Sequence, residues 1–352
     1  MTEVEIRADP TLTTSNGDFV SPEDWDEFHD ITGKGGEGLT VAVMDSGIDT
    51  HHPIFDDVRV DQPEIDGLPT NQTDRVGHGT ACAGTLLLLA PNIERIVDVP
   101  IFADEGRTGD SEIRAAYEYL IDHADELDMV NMSWGASSKY QPYDTLHNEL
   151  EQAGVDAVVA AGNTDKQTGS PATSKRAYAV SACTIDGRMT RWSSPTDNVT
   201  ALGKNIAMPA SKNGHMGRPI DSNDFTPRME EIGGEWIKAS GTSFACPGVL
   251  GMAASFRSMN TVNFKNRPDV QTAYEKAFRD NAVDITGTDE DGVGYVDYKK
   301  SVDMDKGDAL SDATVWSMPW NGQDFIHIDA DVLPDGNYRV NEEKLAEAFI
   351  EE

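Results

Sequence analysis

The sequence predicts an α/β protein built on a parallel β-sheet. Five short apolar runs, each suited to a buried strand, alternate along the chain with longer segments of helical periodicity. Continuous apolar runs are typical of parallel strands covered on both faces, and the alternation with helices is typical of βαβ units. A chain of 352 residues is long enough for one large domain or two ordinary ones, and 38% hydrophobic residues can form a sizeable core.

The elements follow one another in a regular order. The predicted strands are residues 39–44, 96–102, 129–132, 155–161 and 177–183. The predicted helices are residues 21–29, 79–90, 111–126, 143–153, 246–259, 268–279 and 342–350. Residues 203–238 are rich in Gly, Pro, Asn and Asp, which predicts a long loop, and the polar residues 1–20 predict an arm. His147 is expected at the surface of its helix.

The charge of the chain limits its partners. It carries 62 acidic and 28 basic residues, a formal net charge of -34. Phosphate surfaces would repel such a protein, so we expect no nucleic-acid partner and no anionic membrane surface. No run approaches the roughly 18 apolar residues that a membrane span needs. The sequence leaves the oligomeric state open.

The same charge indicates the ionic environment in which the protein works. Surface charges of one sign repel one another, and concentrated salt screens that repulsion. We therefore expect a protein of a halophile or of a virus of halophiles; the alternative is a merely acidic, very soluble protein. The first residues show no basic region followed by an apolar one, so we expect a cytoplasmic or virion-associated protein.

The chain contains three cysteines, Cys82, Cys183 and Cys246. Three thiols cannot all pair with one another, so we expect no disulfide framework. Cys82 and Cys246 lie on the predicted helices that carry His78 and Ser243, and a metal site of cysteine and histidine is one interpretation. A buried thiol that acts as a small hydrophobe is favoured, because CxxC and HxxxH spacings are absent. We expect neither a metal nor a cofactor.

Short motifs place four polar side chains at the ends of predicted elements. The stretch VAVMDSGID puts Asp45 at the end of an apolar strand, and GHGTACAG puts His78 at the start of a helix. The stretch GTSFACP puts Ser243 at another helix start, and VVAAGN ends a strand at Asn163. The carboxyl ends of parallel strands are where α/β folds place their sites.

Acyl transfer needs these residue types. A serine hydroxyl becomes a good nucleophile when a base takes its proton, and a histidine titrates in the range that suits such a base. A buried carboxylate fixes the imidazole tautomer and stabilises the imidazolium. An asparagine amide or the N-terminus of a helix can stabilise a developing oxyanion.

The motifs, in this order, resemble those of the subtilase family of serine peptidases, whose triad follows the order Asp, His, Ser. The matching stretches are AVMDSGID, GHGTACAGT, NMSWG, AAGN, SGTSFACP and GVGYVD, over about residues 39–300. The resemblance implies a three-layer fold, a mainly parallel sheet with helices on both faces. It implies a serine endopeptidase that acts on proteins or peptides, in which Asp45 orients the base His78, Ser243 is the nucleophile and Asn163 contributes to the oxyanion hole.

The resemblance also implies where a substrate binds. Ser133, Trp134 and Gly135 match the segment that pairs with the substrate backbone, and Trp134 either lines the cleft or packs in the interior. Gly106 and Gly109 bound the stretch where the family places the other substrate-pairing edge.

A specificity pocket is implied by two further stretches. Ala160, Ala161 and Gly162 match one wall of the family's S1 pocket, and Gly169 matches its floor. A glycine at the floor predicts a preference for large apolar or aromatic P1 residues. Calcium is compatible with the family, but Ile54 stands where its common N-terminal calcium site has an acid, so we expect that site to be absent.

We divide the chain into an arm and helix at 1–38, a catalytic domain at 39–303 and a C-terminal extension at 304–352. One alternative function is a subtilase fold used as a structural or binding component, for example of a virion, whose activity the extension silences. An esterase is a weaker alternative, because Ser243 lies in GTSFA and not in a G-x-S-x-G elbow.

Overall fold

The computed structural model describes residues 35–258, apart from residues 71–72, 105, 166–167, 185–188, 197, 215–229 and 234. Outside that range it describes the backbone of the short strands β1 (Val4–Glu5), β13 (Trp316–Trp320), β14 (Asp324–Ile328), β15 (Ala330–Val332) and β16 (Tyr338–Val340). The predicted helices 21–29, 268–279 and 342–350 and the GVGYVD stretch lie outside the described residues. The domain limits at 38 and 303 stay a prediction.

A seven-stranded parallel sheet forms the centre of the described fold. Its strands are β2 (Thr40–Asp45), β3 (Arg59–Asp61), β4 (Arg95–Pro100), β6 (Met129–Met132), β7 (Asp156–Ala160), β8 (Tyr178–Cys183) and β9 (Val199–Leu202). Their spatial order is β3-β4-β2-β6-β7-β8-β9, and every adjacent pair is parallel. The predicted α/β class with a parallel sheet is therefore confirmed.

The sheet contains a point where the strand order reverses. From β2 the chain proceeds to β4 on one side, and it then crosses to β6 on the other side. In open α/β sheets a crevice opens at such a point, beyond the carboxyl ends of the strands. The carboxyl ends of β2 and β6 are adjacent here, so the residues that follow Asp45 and Met132 meet at this crevice.

Within the described residues, four helices flank the sheet: α1 (His78–Leu89), α2 (Asp110–Asp122), α3 (Gln141–Gln152) and α4 (Thr242–Ser258). Helices α1 and α4 pack against each other, and α2 packs against α3. All 12 residues of α1 are buried, which its almost uniformly small and apolar sequence allows. A Cβ on Gly251 of α4 would lie 2.8 Å from the Cβ of Leu89, so a glycine is required where α1 and α4 cross. Within the described residues no helix is long and apolar enough to cross a membrane.

Part of the predicted loop at 203–238 is β-structure. Strand β10 (Ile206–Pro209) pairs antiparallel with β12 (Trp236–Ala239), and β12 pairs with β11 (Glu230–Gly233). The loop prediction was wrong at these positions because pairing with distant strands outweighs a local composition rich in turn residues. The short edge strand β3 was also missed, since it offers only three residues of pattern.

His147 is a second correction. Its side chain is fully buried, with Nδ1 3.4 Å from the Tyr117 hydroxyl. The position belongs to the inner face of α3, where Tyr143 and Leu150 are also buried. From the residue type alone, a histidine on the buried face of a helix cannot be distinguished from one on the exposed face.

Candidate active site

Asp45 is the last residue of β2, and His78 is the first residue of α1. Both side chains are buried, and Asp45 Oδ1 lies 2.8 Å from His78 Nδ1. The backbone N–H of Ser46 also donates to Asp45 Oδ1, at 2.8 Å. A carboxylate held in this way fixes the imidazole ring and leaves Nε2 to act on a third group.

The close approach of β2 and α1 depends on small residues. A Cβ on Gly79 would lie 3.1 Å from the backbone nitrogen of Gly47 and 3.2 Å from the Cβ of Asp45. Gly47 has a φ of 109° and Gly77, which precedes the helix, a φ of 92°. The Asp-Ser-Gly and Gly-His-Gly patterns therefore bring the acid and the base within hydrogen-bond distance.

Ser243 shares a neighbour with the imidazole, because Cys82 Sγ lies 3.7 Å from His78 Nδ1 and 3.4 Å from the Ser243 carbonyl oxygen. It is the second residue of α4, and the ring of Phe244, next in the chain, lies 5.3 Å from the His78 ring between centroids. The described contacts include no hydrogen bond from His78 Nε2 to the Ser243 hydroxyl. Such bonds are often long in enzymes without substrate and tighten in the complex.

Asn163 follows β7 and contacts the start of α4. Its Oδ1 accepts from the backbone N–H and from the hydroxyl of Thr242, each at 3.0 Å. Its Nδ2 lies 3.7 Å from the point where a Cβ on Gly241 would stand. The amide group is thus anchored through its oxygen at the turn that carries Ser243, with the donor end held next to that turn.

Comparison with known proteins agrees with this arrangement. The model of the subtilase family matches residues 36–294, which include Asp45, His78, Asn163 and Ser243. The chain belongs to the subtilase family.

Several curated proteins are similar to this subtilase. Subtilisin-like protease 3 of Saccharomyces cerevisiae is 29% identical over 277 residues, which are 72% of this chain and 53% of the yeast protein. Serine protease AprX of Bacillus subtilis is 28% identical over 306 residues, 76% of this chain and 66% of that protein. The chain spans about half the length of the first relatives it matches.

Solved structures share the fold. The crystal structure of a cold adapted subtilisin-like serine proteinase superposes with a TM-score of 0.57 at 21% identity, covering 83% of this chain and 95% of that one. The prenylagaramide maturation protease PagA superposes with a TM-score of 0.61 at 22% identity, covering 79% and 97%. The three-layer subtilisin-like fold implied by the sequence motifs is confirmed.

The Ser133, Trp134 and Gly135 segment of the subtilase follows β6 at the crevice. Ser133 is buried, and its Oγ donates to the Ser243 carbonyl at 2.7 Å. The Trp134 side chain is only 2% exposed and lies edge-on to Tyr117 and Tyr143. Of the two interpretations for Trp134, interior packing is correct. Gly135 is half-buried.

The residues predicted to form the S1 pocket lie in two adjacent segments. Ala160 and Ala161 are buried, and Gly162 is half-buried with a φ of 106°. A Cβ on Gly169 would collide with the Ala136 carbonyl oxygen. The glycine is therefore required by the approach of two backbones, and the preference for a large apolar or aromatic P1 side chain stays a prediction.

The stretch from Gly106 to Gly109 contains strand β5 (Arg107–Thr108), followed by α2, for which Gly109 is the N-cap. Strand β5 pairs antiparallel with β1, Val4 opposite Thr108 and Glu5 opposite Arg107. The predicted substrate-pairing edge is thus paired with a strand from the predicted N-terminal arm.

Buried acids around Asp45 and His78 were missed by sequence reasoning. Asp74 is fully buried, and its two oxygens accept from Ser46 Oγ, from the N–H of Gly77 and from the N–H and hydroxyl of Thr80, at 2.6–2.8 Å. It ties the loop after Asp45 to the start of α1. An Asp shortly before a helix is a capping signal that could have identified it.

A third acid, Asp98, lies on β4 opposite Val43 of β2. Its Oδ2 accepts from the N–H of Ile48 and from Gln62, both at 3.0 Å, while Oδ1 has no partner among the described residues. Burial raises the pKa of Asp98 to about 7. The hydrogen bond from Gln62 lowers this pKa, and the nearby carboxylates of Asp74 and Asp45 raise it.

Cys82 lies one helical turn after His78, with Sγ 3.7 Å from Nδ1. Ligand atoms of Asp45, His78 and Cys82 lie within 4.8 Å of one another, a set that a soft cation could use. Burial raises the pKa of the Cys82 thiol well above its usual value, and Asp45 adds to this, so the thiol is neutral in the absence of a metal. All three cysteines are free and buried, as the hydrophobic interpretation expects.

Proposed function

We propose that this subtilase is a serine endopeptidase that hydrolyses peptide bonds through an acyl-enzyme. The observation that carries the proposal is the 2.8 Å hydrogen bond between the buried Asp45 and His78, whose imidazole shares the neighbour Cys82 with Ser243 at the start of α4. Family membership and the match of the family model across all four residues support it.

The chemistry follows from the positions of these groups. The Ser243 hydroxyl attacks the scissile carbonyl while His78 Nε2 takes its proton, and the Asp45 carboxylate stabilises the resulting imidazolium. The oxyanion of the tetrahedral intermediate is stabilised by Asn163 and the N–H groups at the start of α4. The imidazolium then protonates the leaving amine, and the C–N bond breaks. Water, deprotonated by His78, attacks the acyl-enzyme, which releases the acid and restores Ser243.

We propose that an extended peptide or protein segment is the substrate. The backbone after β6, at Ser133 and Gly135, and the edge at Arg107–Thr108 offer two strands between which a peptide can bind by main-chain hydrogen bonds. The chain spans about half the length of its first relatives, so their substrates cannot be assigned to it. Digestion of peptide libraries would identify the sequence it prefers to cleave.

Covalent labelling tests the proposal directly. In concentrated KCl, a fluorophosphonate probe should label the wild-type protein at Ser243 and should not label the Ser243→Ala variant, which should also lose almost all peptide cleavage. Both the full chain and a chain that lacks residues 304–352 should be tested. Failure of both to react would contradict the proposal, and turnover of esters alone would favour the esterase.

We also propose that the protein works in a salt-rich setting, either in a cytoplasm or in a virion, because of its net charge of -34. The proposed chemistry uses side chains and backbone N–H groups of the chain itself. We therefore expect dialysis against EDTA in concentrated KCl to leave turnover unchanged; loss of activity that calcium restores would identify a calcium site.

A further inference from the structure

The backbone carbonyl of Ser243 lacks the donor that an α-helix ordinarily supplies. In a helix the carbonyl of residue 243 accepts from the N–H four residues later. That residue is Pro247, which lies inside α4 and has no N–H. The carbonyl belongs to the predicted nucleophile and is buried, so it needs a donor from elsewhere.

Two side chains from other elements supply that donor. Ser133 Oγ donates to the Ser243 carbonyl at 2.7 Å, and Cys82 Sγ approaches it at 3.4 Å. The Ser133 hydroxyl accepts from Asn131 Nδ2 at 2.9 Å, which directs its own hydrogen to the carbonyl. Asn131 in turn accepts from Cys246 Sγ on α4 at 3.3 Å. This buried chain of bonds connects the end of β6 to the first turn of α4.

We propose that Ser133 is a positioning residue for the nucleophile, which it holds through the carbonyl that Pro247 leaves without a helical donor. The inference rests on the proposed function, since it concerns the placement of Ser243. The first turn of a helix frays most easily, because its N–H groups have no intrahelical partner and here one carbonyl also lacks a donor. A bond from the rigid end of a central strand fixes that turn relative to His78, and small displacements of a reacting group are costly in rate.

The test compares two buried serines that make equivalent bonds. In the Ser133→Ala variant we expect kcat to fall about tenfold, equivalent to about 1.4 kcal/mol in the barrier, with KM changed less than about twofold. The control is Ser255→Ala. Ser255 also belongs to α4, is fully buried and donates to the Leu89 carbonyl at 2.7 Å, but it lies far along the helix from Ser243. The Ser255→Ala variant should lose about as much thermal stability as Ser133→Ala and should keep the wild-type kcat.

A second variant distinguishes positioning from a general structural effect. Pro247→Ala restores an N–H where the helix can donate it to the Ser243 carbonyl. In the Pro247→Ala background, Ser133→Ala should lower kcat by about twofold or less, compared with about tenfold in the presence of Pro247. Equal losses in both backgrounds would overturn the inference. If the proline variant does not fold, the comparison of Ser133→Ala with Ser255→Ala decides, because equal kcat values for these two would also overturn it.

The outcome separates this inference from the proposed function. If the wild-type protein neither reacts with the fluorophosphonate nor cleaves peptides, the proposed function fails. If the wild type reacts and Ser133→Ala reacts as fast as Ser255→Ala, the proposed function stands and the positioning role of Ser133 is wrong.

Discussion

At the scale of single residues, the site combines three buried carboxylates, Asp45, Asp74 and Asp98, each of which accepts hydrogen bonds. Asp45 Oδ2 has no partner among the described residues, and Asp98 Oδ1 has none either. Burial raises the pKa of Asp74, although Thr80, Gly77 and Ser46 donate to it. Keeping several carboxylates close together in a dry interior favours protonation of some of them. The protonation of Asp74 and Asp98, which lie behind the Asp45–His78 pair, therefore changes with pH.

Asn163 gives a prediction about the chemical step. Its oxygen is held by Thr242, so replacement by alanine removes the amide donor while Gly241 and Thr242 remain. We expect Asn163→Ala to lower kcat by about 100- to 1000-fold with little change in KM, since the donor acts mainly on the transition state. Steady-state kinetics on a peptide substrate measure this. A large rise in KM at constant kcat would show that Asn163 binds the ground state instead.

Asp98 gives a prediction about stability. Its pKa is about 7 in the folded protein, above the usual value near 4 of an unfolded chain. Between about pH 4 and 7 the folded state therefore binds more protons, and this residue's contribution to stability falls as the pH rises through that window. We expect the free energy of unfolding of Asp98→Asn, relative to that of the wild type, to increase by about 1–3 kcal/mol between pH 4.5 and pH 8.

Denaturant unfolding at the two pH values measures this difference. Ser255→Ala is a suitable control, because it removes a buried polar group that does not titrate, and its difference from the wild type should not change with pH. The prediction would be contradicted if the difference in free energy of unfolding between Asp98→Asn and the wild type were also the same at both pH values.

At the scale of elements, the arrangement of strands assembles the site. Asp45 ends β2, Ser133 directly follows β6, and Asn163 comes three residues after β7. These three strands are neighbours in the sheet. The helices α1 and α4 bring His78 and Ser243 to the same edge, and their own crossing is tight because Gly251 lacks a side chain. Three strand ends and two helix starts thus converge at the crevice where the strand order reverses.

Strand β1 gives a prediction at this scale. Val4–Glu5 pairs with Arg107–Thr108, at the edge that we propose binds substrate. A strand from the chain itself would compete with an extended peptide for the same main-chain groups. Deletion of residues 1–10 should therefore lower KM several-fold at unchanged kcat. A matched chain with Val4 and Glu5 replaced by prolines should behave like the deletion, because proline has no N–H to donate. Unchanged KM in both would show that β1 does not compete with substrate.

At the scale of the whole molecule, the main feature is the large excess of acidic over basic residues. With 62 acidic against 28 basic residues, mutual repulsion opposes the folded state at low ionic strength. The described salt bridges are few beside this excess, and several of them, such as Arg59–Asp61, are exposed and weak. Compact folding then depends on the apolar core, in which the strands and α1 are buried, and on screening by the solvent.

Salt dependence is the corresponding prediction. The Debye length falls from about 10 Å at 0.1 M salt to about 3 Å at 1 M, so repulsion between neighbouring surface acids is strongly reduced. We expect the midpoint of thermal unfolding to rise steadily between 0.1 M and 3 M KCl. A variant with about ten surface acids replaced by Asn or Gln should show a smaller rise. Full stability and activity at low salt would contradict a halophilic origin.

The sequence by itself determined the family, the α/β class and most elements of the central sheet. Patterns such as the apolar run before Asp45 are local: a buried parallel strand must be continuously apolar, and a tight strand-to-helix approach requires glycine. The four predicted site residues could be named for the same reason, because each stands in a short motif at the end of an element.

Only the tertiary structure decided the rest. Strands β10 and β12 form where turn residues are frequent, because their hydrogen-bond partners lie about 30 residues apart. The burial of Trp134 and His147, the backbone contact that requires Gly169, and the bond from Ser133 to Ser243 all depend on which distant segments meet. Such contacts leave no periodic pattern in the chain, since each is set by the packing of two elements and by neither one alone.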